Sequence, residues 1–284
     1  MAHHQENLGQ VINNRFVVHK KLGEGGIGKV FLVHDRDTDE ICALKLLHPE
    51  LVAQRNLKEK FRSEAMIWME FGKHPNIVYV RAVDVFNGSL FIALELVPPG
   101  ELGGNCLDKI IQKRRISLQT TIKWGIELCN ALIYANSNGM IAHRDLKPSN
   151  LMISPEGVLK VTDFGLALFS IDPTNRTVEI SPSGTPAYMP PEQFQMGADL
   201  DLRSDIYSFG IVLFEMLTGG NLPFRIGKPD PSNYFEYFHK LHLTYELPTL
   251  DSPLYPVIER CLQKFPNQRY QSFKDIRQDL LRQR

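Results

Sequence analysis

With 284 residues, 43% of them hydrophobic, the chain can bury the core of one large domain or of two lobes. Lysine plus arginine equals aspartate plus glutamate at 32 each, so net charge gives no reason to expect nucleic acid or an anionic membrane as a partner. The four cysteines, Cys42, Cys106, Cys129 and Cys261, include no C-x-x-C pair, which argues against a disulfide framework or zinc site and for reduced thiols in a cytoplasmic setting.

Residues 1–13 read as a polar N-terminal extension. Its first ten residues lack the apolar segment of a signal peptide, and His3 and His4 read as solvated. Short runs rich in Val, Phe and Ile predict strands over residues 15–22, 29–34 and 41–47, with residues 35–40 as an exposed hairpin turn. A helix is expected over residues 56–71: Asn56 would cap it, Glu59 would complete a capping box, and Phe61, Ala65, Trp68 and Met69 recur at helical spacing. Strands are then expected over residues 77–85 and 90–96. Val97-Pro98-Pro99-Gly100 breaks the pattern. Beyond it, helices are predicted over residues 106–113, 118–136, 203–218, 234–239, 255–263 and 273–282. The longest apolar stretch, residues 206–217, is interrupted by Ser208, Gly210 and Glu215 and reads as a buried helix, and no run of 18 apolar residues spans a membrane. Residues 14–97 thus read as a small strand-rich lobe and residues 98–284 as a larger helical lobe.

Between the first two strands lies Gly23-Glu24-Gly25-Gly26-Ile27-Gly28-Lys29-Val30, a G-x-G-x-x-G-x-V pattern. Its glycines would let backbone amides approach phosphate oxygens. By itself the pattern fits a ligand-free hairpin turn equally well. It fits a P-loop poorly, because Val30 stands where that motif needs Ser or Thr and a strand follows where it needs a helix. The Rossmann version needs a helix there too.

Four further motifs follow in order: Cys42-Ala43-Leu44-Lys45, His143-Arg144-Asp145-Leu146-Lys147-Pro148-Ser149-Asn150, Asp163-Phe164-Gly165 and Pro190-Pro191-Glu192. With the glycine loop they resemble the phosphate loop, lysine strand, catalytic loop, magnesium motif and activation-segment end of protein kinases, over residues 16–282. Tyr188-Met189-x-Pro191-Glu192-Gln193 and Asp205-Ile206-Tyr207-Ser208 are most similar to the bacterial, eukaryotic-like (Hanks-type) serine/threonine kinases. The resemblance implies an α+β, two-lobed kinase-like fold, with a small antiparallel sheet and one key helix beside a mostly helical lobe. It also implies transfer of the γ-phosphate of ATP, with Mg2+ (Mn2+ as a substitute), to Ser/Thr hydroxyls of protein substrates.

The resemblance also assigns roles. Lys45 would grip the α- and β-phosphates, braced by Glu64; Glu59 and Glu70 lie off the helix face carrying Phe61, Ala65 and Trp68. Asp145 would orient the acceptor hydroxyl and take its proton, and Lys147 would hold the γ-phosphate. Asn150 and Asp163 would ligate magnesium. The nucleotide would meet Leu22, Gly23, Glu24, Gly25, Gly26, Ile27, Gly28 and Val30, with Ala43, Met152, the gatekeeper Leu94 and hinge residues Glu95 and Val97. His143 is expected as a packed core residue, Asp205 as an anchor of the catalytic-loop backbone, Arg269 as the partner of Glu192, and Trp68 near Phe164. Gly184-Thr185-Pro186-Ala187-Tyr188 resembles the loop on which serine/threonine kinases dock the substrate, with Thr185 placed to hydrogen-bond Asp145 and Lys147; with the Lys147-Pro148 pair it favours Ser/Thr acceptors.

The sequence departs from the family at several places. Leu166, Ala167 and Leu168 stand where many relatives carry a basic residue, so a phosphate pocket around Arg144 is incomplete. Autophosphorylation at Thr174, Thr177, Ser181 or Ser183 is therefore expected to activate only modestly. Pro190 replaces an alanine, and residues 98–105 lengthen the hinge exit. Many relatives continue into a membrane span and sensor domain, so the chain reads as a catalytic domain. A pseudokinase scaffold would lack one of Lys45, Asp145, Asn150 or Asp163. A small-molecule phosphotransferase of similar fold usually lacks the docking segment from Gly184 to Glu192 and the Lys147-Pro148 pair.

Overall fold

Strand alternation organises the first part of the chain. The computed structural model describes residues 9–26, 28–48, 55–86, 89–164, 185–195, 198–228 and 230–284. The expectations placed on His3, His4, Ile27, residues 165–168, Thr174, Thr177, Ser181, Ser183 and Gly184 lie outside them. Two compact units result: the described residues within Met1–His74, Val78–Val97 and Phe164–Glu179, and those within Pro75–Ile77, Pro98–Asp163 and Ile180–Arg284.

The first unit is a six-stranded antiparallel sheet, β1 (Val11–Ile12), β2 (Phe16–Gly25), β3 (Gly28–Asp35), β4 (Glu40–Leu47), β5 (Val80–Phe86) and β6 (Ser89–Glu95), in the order β1-β2-β3-β4-β6-β5. Helix α1 (Arg55–Glu70) packs against β5 and β6. One face of the sheet buries Phe16, Val18, Phe31, Val33, Cys42, Leu44, Phe91 and Ala93. By alternation, the register pairs Val30↔Lys45, Leu32↔Ala43, Ala43↔Leu94 and Lys45↔Ile92 lie on the other face.

Three expectations change here. Val11 and Ile12, in the segment read as a polar extension, pair with Val17 and Phe16 through a turn in which Asn13 and Asn14 both take φ 52°. Asparagine tolerates that left-handed conformation. Asp35 is not part of an exposed turn: it is fully buried, and its carboxylate accepts from Arg15 Nε and Nη2 at 2.6 Å each. That fork holds the Asp35 carboxyl below its ordinary value. Helix α1 starts at Arg55, so Asn56 lies inside its first turn and does not cap it.

The second unit contains α2 (Leu107–Ile111), α3 (Leu118–Ser137), α4 (Leu202–Thr218), α5 (Tyr234–Thr244), α6 (Tyr255–Cys261) and α7 (Phe273–Arg282). A short hairpin, β7 (Leu151–Ile153) with β8 (Leu159–Val161), was absent from the sequence expectations. Ser117, Asp201 and Ser272 cap α3, α4 and α7 through side-chain oxygens. Helix α5 runs five residues past its expected end at His239, burying His242. Helix α4 is buried from Ser204 to Leu217, which explains its nearly unbroken apolar sequence.

Two carboxylates interrupt α4, Asp205 and Glu215. Glu215 Oε1 accepts from the Tyr188 hydroxyl at 3.1 Å, while its Oε2 is buried with no hydrogen-bond partner among the described residues. Burial, with a smaller push from Asp108, raises the Glu215 carboxyl to about 8.

Two predictions follow from these packings. At Gly28 an added Cβ would collide with the Leu46 carbonyl, whereas at Gly23 and Gly25 it would meet nothing within 4 Å among the described residues. Gly28→Ala should therefore lose at least about 2 kcal/mol of stability, read as a Tm fall of about 5 °C, while Gly25→Ala should keep the wild-type Tm. The folded pKa of Glu215 exceeds its ordinary 4.5, so the folded state binds more protons than the unfolded chain between about 4.5 and 8. Its contribution to stability is present below that window and is lost as pH rises through 8. Glu215→Gln should thus gain stability relative to wild type at pH 9, on the order of a few kcal/mol, with the difference shrinking towards pH 5 in paired thermal melts.

Candidate active site

The β7–β8 hairpin accounts for the local geometry of the catalytic loop. Asn150 ends the loop immediately before β7, and Asp163 lies two residues after β8. Pairing of Leu151 with Val161 brings those ends together, and Thr162 N donates to Asn150 O at 3.0 Å. Within the loop, Lys147 Nζ lies 2.8 Å from Asp145 Oδ2. Asn150 Nδ2 donates to the same oxygen at 2.9 Å and to the Asp145 carbonyl at 2.8 Å. Two side chains thus converge on one carboxylate oxygen and fix its orientation. Asp145 and Asn150 are both about 6% exposed, so these bonds form in a largely desolvated place.

The backbone beneath is tightly determined. Asp205, fully buried on α4, accepts from His143 N at 2.6 Å and Arg144 N at 2.8 Å. Burial pushes its carboxyl up, opposed by His143 and the two amide bonds. His143 is wholly buried, as expected; Nε2 donates to Thr162 O at 3.0 Å, leaving Nδ1 to accept from Asp145 N at 3.3 Å. Gln193 Nε2 donates to the Arg144 carbonyl at 3.0 Å. Arg144 (φ 67°) and Asp163 (φ 64°) occupy the left-handed region. Such conformations at non-glycine residues persist where the surroundings over-determine them, which is common at functional sites.

The remaining candidates in this unit are Met152, on β7 opposite Lys160 and bridged to Cys106, and the Glu192–Arg269 pair. Arg269 is fully buried, and its Nη1 and Nη2 reach the two Glu192 oxygens at 2.7 and 2.8 Å. It also donates to the carbonyls of Gln263, Arg203 and Lys264. A charge that deeply buried is tolerable because its donors are satisfied.

In the first unit, Lys45 is buried on β4, on the sheet face shared with Val30, Ala43 and Leu94. Gly23, Glu24, Gly25 and Gly28 form the β2–β3 end, with Gly26 in its turn and Leu22 at a register break, 45% exposed. Of three carboxylates on α1, Glu59 and Glu70 are exposed and Glu64 is half-buried beside Phe61, Ala65 and Trp68. Glu95 Oε1 accepts from Tyr79 N at 2.9 Å, fixing the end of β6 before Val97. Trp68 lies against Phe164 as expected, with centroids 5.8 Å apart, and donates its indole N–H to Val78 O at 3.0 Å.

Sequence reasoning missed the surroundings of the 3-10 turn Thr185–Tyr188. Ser208 Oγ donates to Tyr188 O at 2.7 Å and Tyr188 donates to Glu215. His242 lies 2.8 Å from Pro186 O and 2.9 Å from the Tyr207 hydroxyl. The available signal was a Ser and a Glu inside an apolar helix; nothing local distinguishes His242.

The sequence profile of the protein kinase domain matches residues 16–281. A Clostridium acetobutylicum protein named "probable serine/threonine-protein kinase" is 33% identical over 280 residues, covering 96% of this chain and 40% of that protein. Serine/threonine-protein kinase PksC of Streptomyces coelicolor is 34% identical over 277 residues, covering 94% of this chain and 49% of its own. The chain therefore spans about half, or less, of these curated relatives. Among solved structures, the PknI kinase domain of Mycobacterium tuberculosis superposes with a TM-score of 0.72 at 22% identity, over 98% of this chain and 99% of that one. The profile match over nearly the whole length establishes that this chain belongs to the protein kinase domain family, and its fold agrees.

Proposed function

We propose that the chain transfers the γ-phosphate of ATP to serine and threonine hydroxyls of protein substrates. The observation that carries this reading is the convergence of Lys147 and Asn150 on Asp145 Oδ2. A carboxylate held in that way is oriented to hydrogen-bond an acceptor hydroxyl and receive its proton as the oxygen attacks phosphorus. Lys147 then offsets negative charge on the γ-phosphoryl group. Lys45, braced by Glu64, binds the α- and β-phosphates. In the first unit Leu22, Val30, Ala43, Leu94, Glu95 and Val97 receive the adenine, and the space left over Gly23 and Gly25 among the described residues admits phosphate oxygens.

The donor set fits magnesium. Asn150 uses its nitrogen on Asp145, which leaves Oδ1, a hard neutral oxygen, to act with the Asp163 carboxylate. The cation, for which Mn2+ can substitute, would neutralise phosphate charge. Ser/Thr preference rests on the Lys147-Pro148 pair and Thr185, in agreement with the names of the relatives. All four cysteines are free, as suits a reducing, cytoplasmic compartment.

Incubation with radiolabelled ATP, magnesium and a generic basic protein should label the protein on serine and threonine. Asp145→Asn should lower the rate by about 10²-fold or more while ATP binding persists. A wild-type rate in that variant, or label chiefly on tyrosine, defeats the proposal. Autophosphorylation is expected at Thr174, Thr177, Ser181 or Ser183. Alanine at all four should reduce activity by a few-fold, on the order of one added charge-assisted contact; unchanged activity removes the regulatory part.

A further inference from the structure

We propose that His242 is a positioning residue for the turn that docks the acceptor-bearing segment of the protein substrate, an inference that rests on the kinase reading above. Its ring is fully buried among Phe194, Phe224, Phe238, Tyr207 and Tyr245, with the Phe224 centroid 4.8 Å away. An aliphatic or phenyl group would fill such a place without desolvating two ring nitrogens. Histidine is tolerable there because both nitrogens are bonded. Nε2 lies 2.8 Å from the Pro186 carbonyl, which can only accept, so Nε2 carries the proton. Nδ1 is then an acceptor, 2.9 Å from the Tyr207 hydroxyl, whose oxygen also lies 3.2 Å from the Tyr245 hydroxyl. Burial pushes the ring's pKa down to about 3, in keeping with this neutral form.

The geometry gives that bond a purpose. Pro186 follows Thr185 in the 3-10 turn Thr185–Tyr188 and has no amide hydrogen, so its carbonyl is its sole polar backbone group. Among the described backbone amides that carbonyl meets only Met189 N, just past the turn, at a long 3.4 Å. The far end of the turn is tied to α4 by Ser208 Oγ on Tyr188 O. His242 supplies the corresponding tie from α5. Its own support is rigid, because Tyr207 also contacts the buried Arg269 guanidinium, 4.9 Å from its ring centroid. Loss of the tie lets the Pro186 carbonyl turn, and the docking surface beside Thr185 turns with it. ATP binding draws on other residues.

The test measures KM for a serine-containing peptide and KM for ATP separately in wild type, His242→Phe and His242→Gln, with Tm as a fold check. His242→Phe keeps the ring and removes the donor; it should raise the peptide KM about fivefold to tenfold, the worth of one buried hydrogen bond, and leave the ATP KM within about twofold. His242→Gln places an amide nitrogen near the Nε2 position and should restore most of the loss. Hydrogen exchange at the Met189 amide should quicken in His242→Phe and recover in His242→Gln, and this readout needs no activity. If His242→Phe does not fold, His242→Asn, whose amide is too short to reach Pro186, takes its place. A folded variant without the donor that keeps the wild-type peptide KM overturns the proposal. So does an ATP KM rising in step, or equal losses in the Phe and Gln variants. Unchanged exchange at Met189 overturns the tie even in a chain that phosphorylates no peptide, whereas failure of the wild type to label any serine or threonine defeats the kinase reading instead.

Discussion

One buried carboxylate anchors the backbone at the start of the loop from His143 to Asn150. Asp205 accepts the amides of His143 and Arg144, and the second of these belongs to a residue in the left-handed region. Without that acceptor, two amides inside the protein would lose their partner, and an unsatisfied buried donor costs about 1–3 kcal/mol. The conformation that presents Asp145 to its neighbours would relax with them. The bonds of Lys147 and Asn150 to Asp145 are built on the backbone that this anchor holds.

The same helix serves the other half of the second unit. Successive polar residues of α4 reach different segments: Asp205 the backbone of His143 and Arg144, Tyr207 the ring of His242, Ser208 the carbonyl and Glu215 the hydroxyl of Tyr188. The apolar remainder of the helix is what makes these contacts strong, because it excludes the water that would compete for them. The Glu192–Arg269 pair closes the arrangement from α7's side of the sequence, and its satisfied guanidinium lends Tyr207 a fixed neighbour.

Much of this was legible in the sequence because the chemistry of phosphoryl transfer demands particular residue types in a particular order. The motif from His143 to Asn150 and the following Asp163 fell at the two ends of one hairpin, and Asp205, Arg269 and Trp68 took the neighbours expected of them. The losses have a common physical cause: they depend on partners remote in sequence. Strands of three residues such as β7 and β8 carry too little periodicity to be seen, and they exist because they pair with each other. Asp35 looks like a turn residue until Arg15, twenty positions earlier, is folded onto it. His242 resembles any histidine on an amphipathic helix; only the folded position of Pro186 gives it a role.

The placement of the two tryptophans has a practical consequence. Trp68 is buried in the first unit, donating to Val78, and Trp124 is buried in the second, donating to Gly157. The chain has no others. Each unit therefore carries one tryptophan, selectively excitable apart from the nine tyrosines, in a solvent-shielded setting. Replacing either indole by phenylalanine would leave a spectroscopic reporter confined to the remaining half, so that melting or relaxation of each can be followed without an added label.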